Sequence, residues 1–161
     1  MSLTQPVASD HQLARLLQIG VVLEEVVEAR AHQQYQLLDE TAVDPEIEAL
    51  LEHAAEESAE HRDRLSALVE ALDAEQIPFE RIEPLVAERY GNEEDTDGVL
   101  YDQLCNEETA YKFYDDLIAA IEGSEAAFGI ERDRLLETLA EIRAEEADGA
   151  EEVTRLMETR T

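Results

Sequence analysis

Apolar residues recur along the 161-residue chain in alternating steps of three and four, the spacing that places them on one side of an α-helix. Asp44 followed by Pro45 is typical of a helix start, with a capping side chain and then a proline in the first helical position. No segment shows the alternation typical of a β-strand. The sequence therefore predicts an all-α fold, with long helices over about residues 10–40, 44–72, 98–122 and 130–158.

Each predicted helix has one stripe that should face the interior of the protein. The stripes comprise Leu13, Leu17, Gly20, Glu24, Val27, Ala31, Tyr35 and Leu38 on the first helix; Ile47, Leu51, Ala54, Ser58, His61, Leu65, Leu68 and Leu72 on the second; Leu100, Leu104, Glu107, Tyr111, Tyr114 and Ile121 on the third; and Leu135, Leu139, Ile142, Glu146, Gly149, Val153 and Leu156 on the fourth. The polar residues in these stripes are the candidates for chemistry, because a buried polar group needs a partner.

A segment over residues 73–97 separates the second predicted helix from the third. Pro78, Pro84 and Gly91 allow at most one short helix there, around residues 79–89. The segment is too long for a hairpin between neighbouring helices, so we expect it to cross over the molecule. Two helices, one long crossover and two more helices is the order found in a four-helix bundle with one crossover connection.

The two halves of the chain resemble each other weakly, at an offset of 79 residues (from 28 to 107). The matching positions are Glu28, Ala31, Tyr35 and Leu38 in the first half and Glu107, Ala110, Tyr114 and Leu117 in the second. This pattern indicates an internal duplication. A chain of this length is typical of one domain, so we expect a single domain over residues 1–161, with residues 1–9 as an N-terminal tail.

Acidic residues outnumber basic residues by 41 to 12, which gives a net charge of −29. Nucleic acids and anionic lipid attract basic surfaces, so we expect neither nucleic acid nor a membrane as a partner. Metal cations and basic proteins remain candidate partners. Lys112 is the sole lysine, and with the glutamate-rich surface this composition is typical of a halophilic organism that keeps high internal salt.

Cys105 is the only cysteine, so the sequence predicts no internal disulfide and no cysteine zinc cluster. A reducing cytoplasm fits this usage best. The first residues do not resemble a signal peptide, and no stretch approaches the roughly 18 apolar residues of a membrane span. We therefore expect a cytoplasmic protein.

Four polar residues are predicted to turn inward on four different helices: Glu28, His61, Glu107 and Glu146. An ionised carboxylate buried without a partner costs several kcal/mol, so such a group must share a cation, hold protons or pair with arginines. A metal ion is the simplest common partner. The sequence thus predicts a metal site with these four residues as ligands.

The motif Glu-x-x-Ala-x-x-(Phe or Gln)-Tyr, which starts at Glu28 and again at Glu107, resembles rubrerythrin-type members of the ferritin-like superfamily. The resemblance covers nearly the whole chain. It implies a ferritin-like four-helix bundle with a di-iron centre, in which two helices each supply one Glu and the other two each supply Glu-x-x-His. It also implies iron-related redox or oxidative-stress chemistry.

The two Glu-x-x-His motifs are incomplete, because Ser58 precedes His61 and Gly149 follows Glu146 where the family has Glu and His. The resemblance therefore implies a smaller centre that holds one metal ion instead of two. Fe(II), Mn(II) and Zn(II) are all suitable for it. We expect Ser58→Glu with Gly149→His to restore a second metal position. The chain has no four-cysteine rubredoxin-like module, so a redox reaction would need a separate electron donor.

Other arrangements stay open at this stage. Nearby acids are candidates for the missing ligands, as are two further residues on the first helix: Glu56, Glu57, Glu60, Glu145 and Asp148, with Glu24 and His32. A second alternative is that the site binds no metal, and that its polar residues are held by Arg62, by Arg143 or by protons that they share. In that alternative the chain is a non-catalytic bundle, such as a homodimer, that binds another protein. An iron-storage cage is a third alternative.

Overall fold

Long helices make up most of the structure, a computed structural model. They are α1 (Asp10–Leu38), α2 (Pro45–Ala71), α3 (Val99–Glu122) and α4 (Arg132–Thr159). The structure describes residues 6–38, 44–72, 74–78, 80–84 and 98–160, and only the backbone for residues 33–38. No strand occurs in these ranges, which confirms the all-α prediction.

The helix ends follow local chemistry. At the start of α2, the Asp44 side chain accepts a hydrogen bond from the Glu46 backbone N–H at 3.0 Å, and Pro45 occupies the first helical position, as predicted. The fourth helix begins two residues later than expected, at Arg132. The Arg132 side chain donates to the Ile121 carbonyl in the last turn of α3 and to the Ser124 and Ala126 carbonyls in the connection before α4.

The predicted stripes form the core. On α1, all described stripe residues from Leu13 to Ala31 are buried, and the side chains of Tyr35 and Leu38 lie outside the described part of the chain. The stripes of α2 and α4 are buried along most of their length. One assignment on α3 is wrong, because Tyr111 is exposed whereas its neighbours Ala110 and Phe113 are buried.

The helices pack most extensively within two pairs, α1 with α2 and α3 with α4. Contacts between the pairs are fewer and join α1 to α3 and α2 to α4. A close approach between the pairs occurs at Gly20, where an added Cβ would lie 3.1 Å from the Phe113 ring and 3.2 Å from Leu65. The absence of a side chain at Gly20 therefore lets α3 approach α1.

The segments outside the long helices are tied to them where the structure describes them. Gln18 on α1 exchanges two hydrogen bonds with the Ile77 backbone, at 2.9 and 3.2 Å. The predicted N-terminal tail is packed in its described part, because Val7 is buried and its N–H donates to the Ala120 carbonyl at 3.1 Å. Residues 80–84 are helical, whereas most of the predicted crossover, residues 85–97, lies outside the described ranges.

In the described ranges, no helix combines the length and the apolar character that crossing a membrane would require.

We expect the stability of the folded protein to rise with salt, because the net charge of −29 repels itself in the compact state. Raising the salt concentration from about 0.1 M to 1 M shortens the Debye length from about 10 Å to 3 Å, which screens that repulsion. Thermal unfolding followed by circular dichroism at several KCl concentrations measures the effect.

A charge-reduced variant is the control for this prediction. Glu70, Glu122 and Glu137 are exposed, so replacing all three with glutamine removes negative charge without touching the core. The variant should unfold at a higher temperature than the parent in low salt and depend less on salt. Equal midpoints for the parent in low and molar salt would contradict the prediction.

Candidate metal centre

A cluster of buried polar side chains lies between the helix pairs. Its members come from all four long helices: Glu24 on α1, His61 on α2, Gln103, Glu107 and Tyr114 on α3, and Glu146 on α4. Each is at most 5% exposed. Burial of this many polar groups is unfavourable unless they bond to one another or to a ligand.

Three residues at the centre of this cluster are arranged to hold one cation. His61 Nδ1 lies 3.0 Å from Glu146 Oε1 and 3.4 Å from Glu24 Oε1. One ligand atom from each of these three residues lies within 4.8 Å of the other two. Two carboxylates and one imidazole are a suitable ligand set for a divalent transition metal. We refer to Glu24, His61 and Glu146 as the triad.

The triad takes Glu24 rather than Glu28 from α1. Glu24 is completely buried, whereas the Glu28 side chain is 21% exposed and lies beside Arg62. The Arg62 guanidinium donates to Glu28 Oε1 at 2.9 Å and also lies 3.9 Å from Glu25 Oε1. Glu28 is thus in an ion pair at the edge of α1 and α2, outside the triad.

Glu24 is held by a hydrogen bond from the opposite helix pair. The Tyr114 hydroxyl donates to Glu24 Oε1 at 2.6 Å, and Tyr114 is completely buried. Burial, together with the charges of Glu24 and Glu146, raises the pKa of Tyr114 well above its usual range. The hydroxyl therefore keeps its proton and acts as a donor to Glu24.

Glu107 lies next to the triad and is held against α4. Gln103 Nε2 donates to Glu107 Oε1 at 3.0 Å. A Cβ added at Gly149 would lie 2.6 Å from Glu107 Oε2 and 2.7 Å from its carboxyl carbon. The carboxylate thus occupies the space that any side chain at position 149 would need.

The second ring nitrogen of His61 faces a carboxylate closer to the surface. His61 Nε2 lies 3.5 Å from Glu145 Oε1, and the other Glu145 oxygen accepts from Arg64 at 3.0 Å. Arg64 also pairs with the exposed Glu141. A carboxylate beside the free nitrogen of a metal-binding histidine commonly sets the orientation of its ring.

Four buried side-chain atoms in the described ranges make no hydrogen bond, and all belong to this cluster. They are Glu24 Oε2, His61 Nε2, Gln103 Oε1 and Glu107 Oε2. Three are oxygens, each of which can accept a hydrogen bond or coordinate a cation. The cluster thus has unused electron pairs, and one of these oxygens belongs to Glu24 of the triad.

Burial raises the pKa of several acids in and around the cluster. Desolvation is the largest cause for Glu146 and for Glu107, whose pKa values are both raised, and the neighbouring Glu24 adds to the effect. Desolvation also raises the pKa of Glu57 to about 7. For His61, desolvation lowers the pKa, but the hydrogen bond and charge of Glu24, together with the charges of Glu57 and Glu145, outweigh it, so the pKa is raised.

We expect the metal-free protein to lose stability as pH rises from about 4.5 to 7. Glu57 has an ordinary pKa of 4.5 in the unfolded chain and about 7 when folded, so the folded state holds a proton that the unfolded state has lost. Folding then binds protons in this window, and the free energy of unfolding falls with increasing pH. The raised pKa values of His61, Glu107 and Glu146 act in the same direction.

Urea unfolding in the presence of a chelator, at constant ionic strength, measures this dependence. Glu57→Gln is the control and should flatten the curve in the same window. A metal-free protein that becomes more stable between these pH values would contradict the assignment of raised pKa values.

The residues named from the sequence fall into two groups in the structure. His61, Glu107 and Glu146 are buried together, whereas Glu28 is in the ion pair with Arg62. Of the further candidates, Glu24 belongs to the triad and His32 is exposed. Gln103 was not anticipated, although its position four residues before Glu107 on the same helix places the two side chains together.

Comparison with family models of known proteins, with curated proteins and with solved structures gave no match.

Proposed function

We propose that this protein is a ferritin-like metal-binding protein, resembling the rubrerythrins, that binds one divalent transition-metal ion per chain through Glu24, His61 and Glu146. The carrying observation is the buried triad, in which one ligand atom of each residue lies within 4.8 Å of the other two and Glu24 Oε2 makes no hydrogen bond. Two carboxylates balance the charge of a divalent cation, which a buried site requires.

The proposal includes the finer architecture, a four-helix bundle with one long crossover between the second and third long helices. Its support is the packing of the long helices in two pairs, with the polar cluster between the pairs. Metal sites of such bundles are built from side chains on facing helices. The order of elements in the sequence supports the same arrangement.

Fe(II), Mn(II) and Zn(II) all accept two carboxylates and an imidazole. Bound Fe(II) would supply one-electron chemistry, and the implied role is iron-related redox or protection against oxidative stress. The chain's own residues hold the ligands, exclude water and keep Glu107 as a further carboxylate beside the triad. A separate protein would donate electrons in such a reaction.

The proposed setting is the cytoplasm of a halophilic organism. Its support is the single cysteine, Cys105, which is exposed, and the net charge of −29. The same charge favours cations over nucleic acid or anionic membranes as partners.

Metal binding to purified protein tests the proposal. Protein stripped with a chelator and titrated with Mn(II), Zn(II) or, without oxygen, Fe(II) should bind one ion per chain. Metal analysis after gel filtration and an anomalous diffraction signal beside His61 are the readouts. No bound metal would contradict the proposal, and two tightly bound ions would show that neighbouring acids such as Glu57 or Glu145 complete a second position.

A metal-free helical bundle that binds another protein, or a second copy of itself, is the alternative. The observation in its favour is that the cluster partly satisfies itself, through the contacts of His61 with Glu146, Tyr114 with Glu24 and Gln103 with Glu107. The same titration separates the two functions. Absence of metal together with a stable dimer by light scattering would favour the alternative.

A further inference from the structure

Tyr114 is the largest side chain in the described core that is fully buried, and its only polar atom contacts the triad. Its hydroxyl donates to Glu24 Oε1 at 2.6 Å. The two residues come from different helix pairs, α3 and α1. The hydrogen bond therefore connects Glu24 on α1 to the other helix pair.

The hydrogen bond gives the two carboxylate oxygens of Glu24 different environments. Oε1 accepts from Tyr114 and lies 3.4 Å from His61 Nδ1, whereas Oε2 makes no hydrogen bond. A carboxylate with one oxygen held by a donor cannot rotate freely about its last bond. The orientation of Oε2 is thus set by Tyr114.

The ring of Tyr114 is itself held in place. It meets the Phe113 ring edge to face, at a centroid distance of 5.2 Å and an interplanar angle of 79°. Phe113 in turn lies against Gly20 on α1. Tyr114 is not exposed to solvent, so its hydroxyl cannot donate to bulk water instead, and the donor stays directed at Glu24.

We propose that Tyr114 is a positioning residue for metal binding, which fixes the Glu24 carboxylate so that its free oxygen faces the cation. The inference rests on the metal site proposed above and adds a residue that does not touch the metal. Groups that hydrogen-bond to metal ligands typically contribute 10- to 100-fold to metal affinity.

Tyr114→Phe tests the inference, because it keeps the ring and removes only the donor. With Co(II) as the probe, we expect the parent to bind one ion and the variant to bind about 10- to 100-fold more weakly with the same stoichiometry. The visible absorption of bound Co(II) should also change, since it reports ligand geometry, which a loss of stability alone would not alter. Tyr111→Phe, on the exposed face of the same helix, is the matched control and should leave both readouts unchanged.

A double-mutant cycle shows whether Tyr114 acts through Glu24. Glu24→Asp shortens the carboxylate, so it cannot keep both its ligand position and the bond to Tyr114. If Tyr114 positions Glu24, Tyr114→Phe should reduce Co(II) affinity much less in the Glu24→Asp protein than in the parent. Additive effects of the two substitutions would overturn the inference.

The outcomes separate this inference from the proposed function. A parent that binds no Co(II), Mn(II) or Zn(II) overturns both. A parent that binds Co(II), with a Tyr114→Phe variant of equal affinity and spectrum, overturns the positioning role alone. If the variant does not fold, 3-fluorotyrosine placed at position 114 keeps the hydroxyl; its fluorine resonance should shift as one equivalent of Zn(II) binds, and an unmoved resonance would overturn the inference.

Discussion

Replacing Glu24 with glutamine should lower the affinity for a divalent metal by at least about 100-fold, because it removes a charged ligand from a buried site. A residue that only supports a ligand usually contributes about 10- to 100-fold, and we expect the loss of a ligand to have a larger effect. Glu28→Gln should change the affinity much less, because Glu28 pairs with Arg62 outside the triad. The two residues lie one turn apart on α1, so the pair forms a matched comparison. Competition of each variant with a chromophoric chelator for Zn(II) gives the affinities.

The contrast has a clear physical basis. The Glu28 carboxylate already pairs with Arg62 and is partly exposed, so its loss removes an ion pair that contributes about 0–1 kcal/mol to stability. Thermal unfolding of both variants without metal shows whether they fold like the parent. If Glu28→Gln loses the metal and Glu24→Gln retains it, the motif-based ligand set is right and the triad is wrong.

Gly149→His should destabilise the protein instead of restoring a ligand. A Cβ at this position would lie 2.6 Å from Glu107 Oε2, so any side chain must displace the Glu107 carboxylate and break its hydrogen bond from Gln103. Overpacking of this kind costs about 1–3 kcal/mol, and the imidazole adds further volume. We therefore expect Ser58→Glu with Gly149→His to fold poorly and to gain no second metal, in contrast to the expectation from the sequence motif.

A pair of smaller substitutions isolates the cause. Gly149→Ala alone should be destabilising, although alanine normally favours a helix over glycine by about 1 kcal/mol. In a Glu107→Ala background the obstruction is absent, so Gly149→Ala should become stabilising. Urea unfolding of the four proteins measures this reversal. A stable Gly149→His protein with a second metal would show that Glu107 moves aside easily.

The helices could be predicted well from the sequence because local rules determine them. Asp44 and Pro45 define the start of α2, and Gly123 follows the end of α3. No capping side chain marks the start of α4, because Glu131 precedes the helix without a side-chain hydrogen bond. The spacing of Tyr111 fits the stripe and predicts an interior position, but an aromatic residue with a polar hydroxyl is also suited to the surface, where Tyr111 lies.

The site was harder to predict because the motif and the hydrophobic stripe point to different residues on α1. Glu24 continues the alternating steps of four and three from Leu17 and Gly20, whereas Glu28 is four residues further and off that series. In the structure, the stripe residue Glu24 is the one that is buried. The position of Arg62, which pairs with Glu28, depends on how α1 packs on α2, and no periodicity in a single helix contains that information.

The effect of Gly149 on the site also could not be predicted from the residue type alone. In the sequence it reads as a missing histidine, but in the folded protein its empty Cβ position is filled by a side chain from the neighbouring helix. Such compensation between helices depends on side-chain rotamers, which neither composition nor spacing determines.

The uneven packing of the helices gives a bound cation a mechanical role. The triad takes Glu24 and His61 from the α1–α2 pair and Glu146 from the α3–α4 pair, and packing is least extensive between those pairs. A metal ion would act as a cross-link between two halves of the core, and at a free concentration of 100 times its dissociation constant it would add about 2.7 kcal/mol to stability. Backbone amides along the α1–α3 and α2–α4 boundaries would then exchange their hydrogens more slowly in the metal-bound protein, as the two halves lose their freedom to separate.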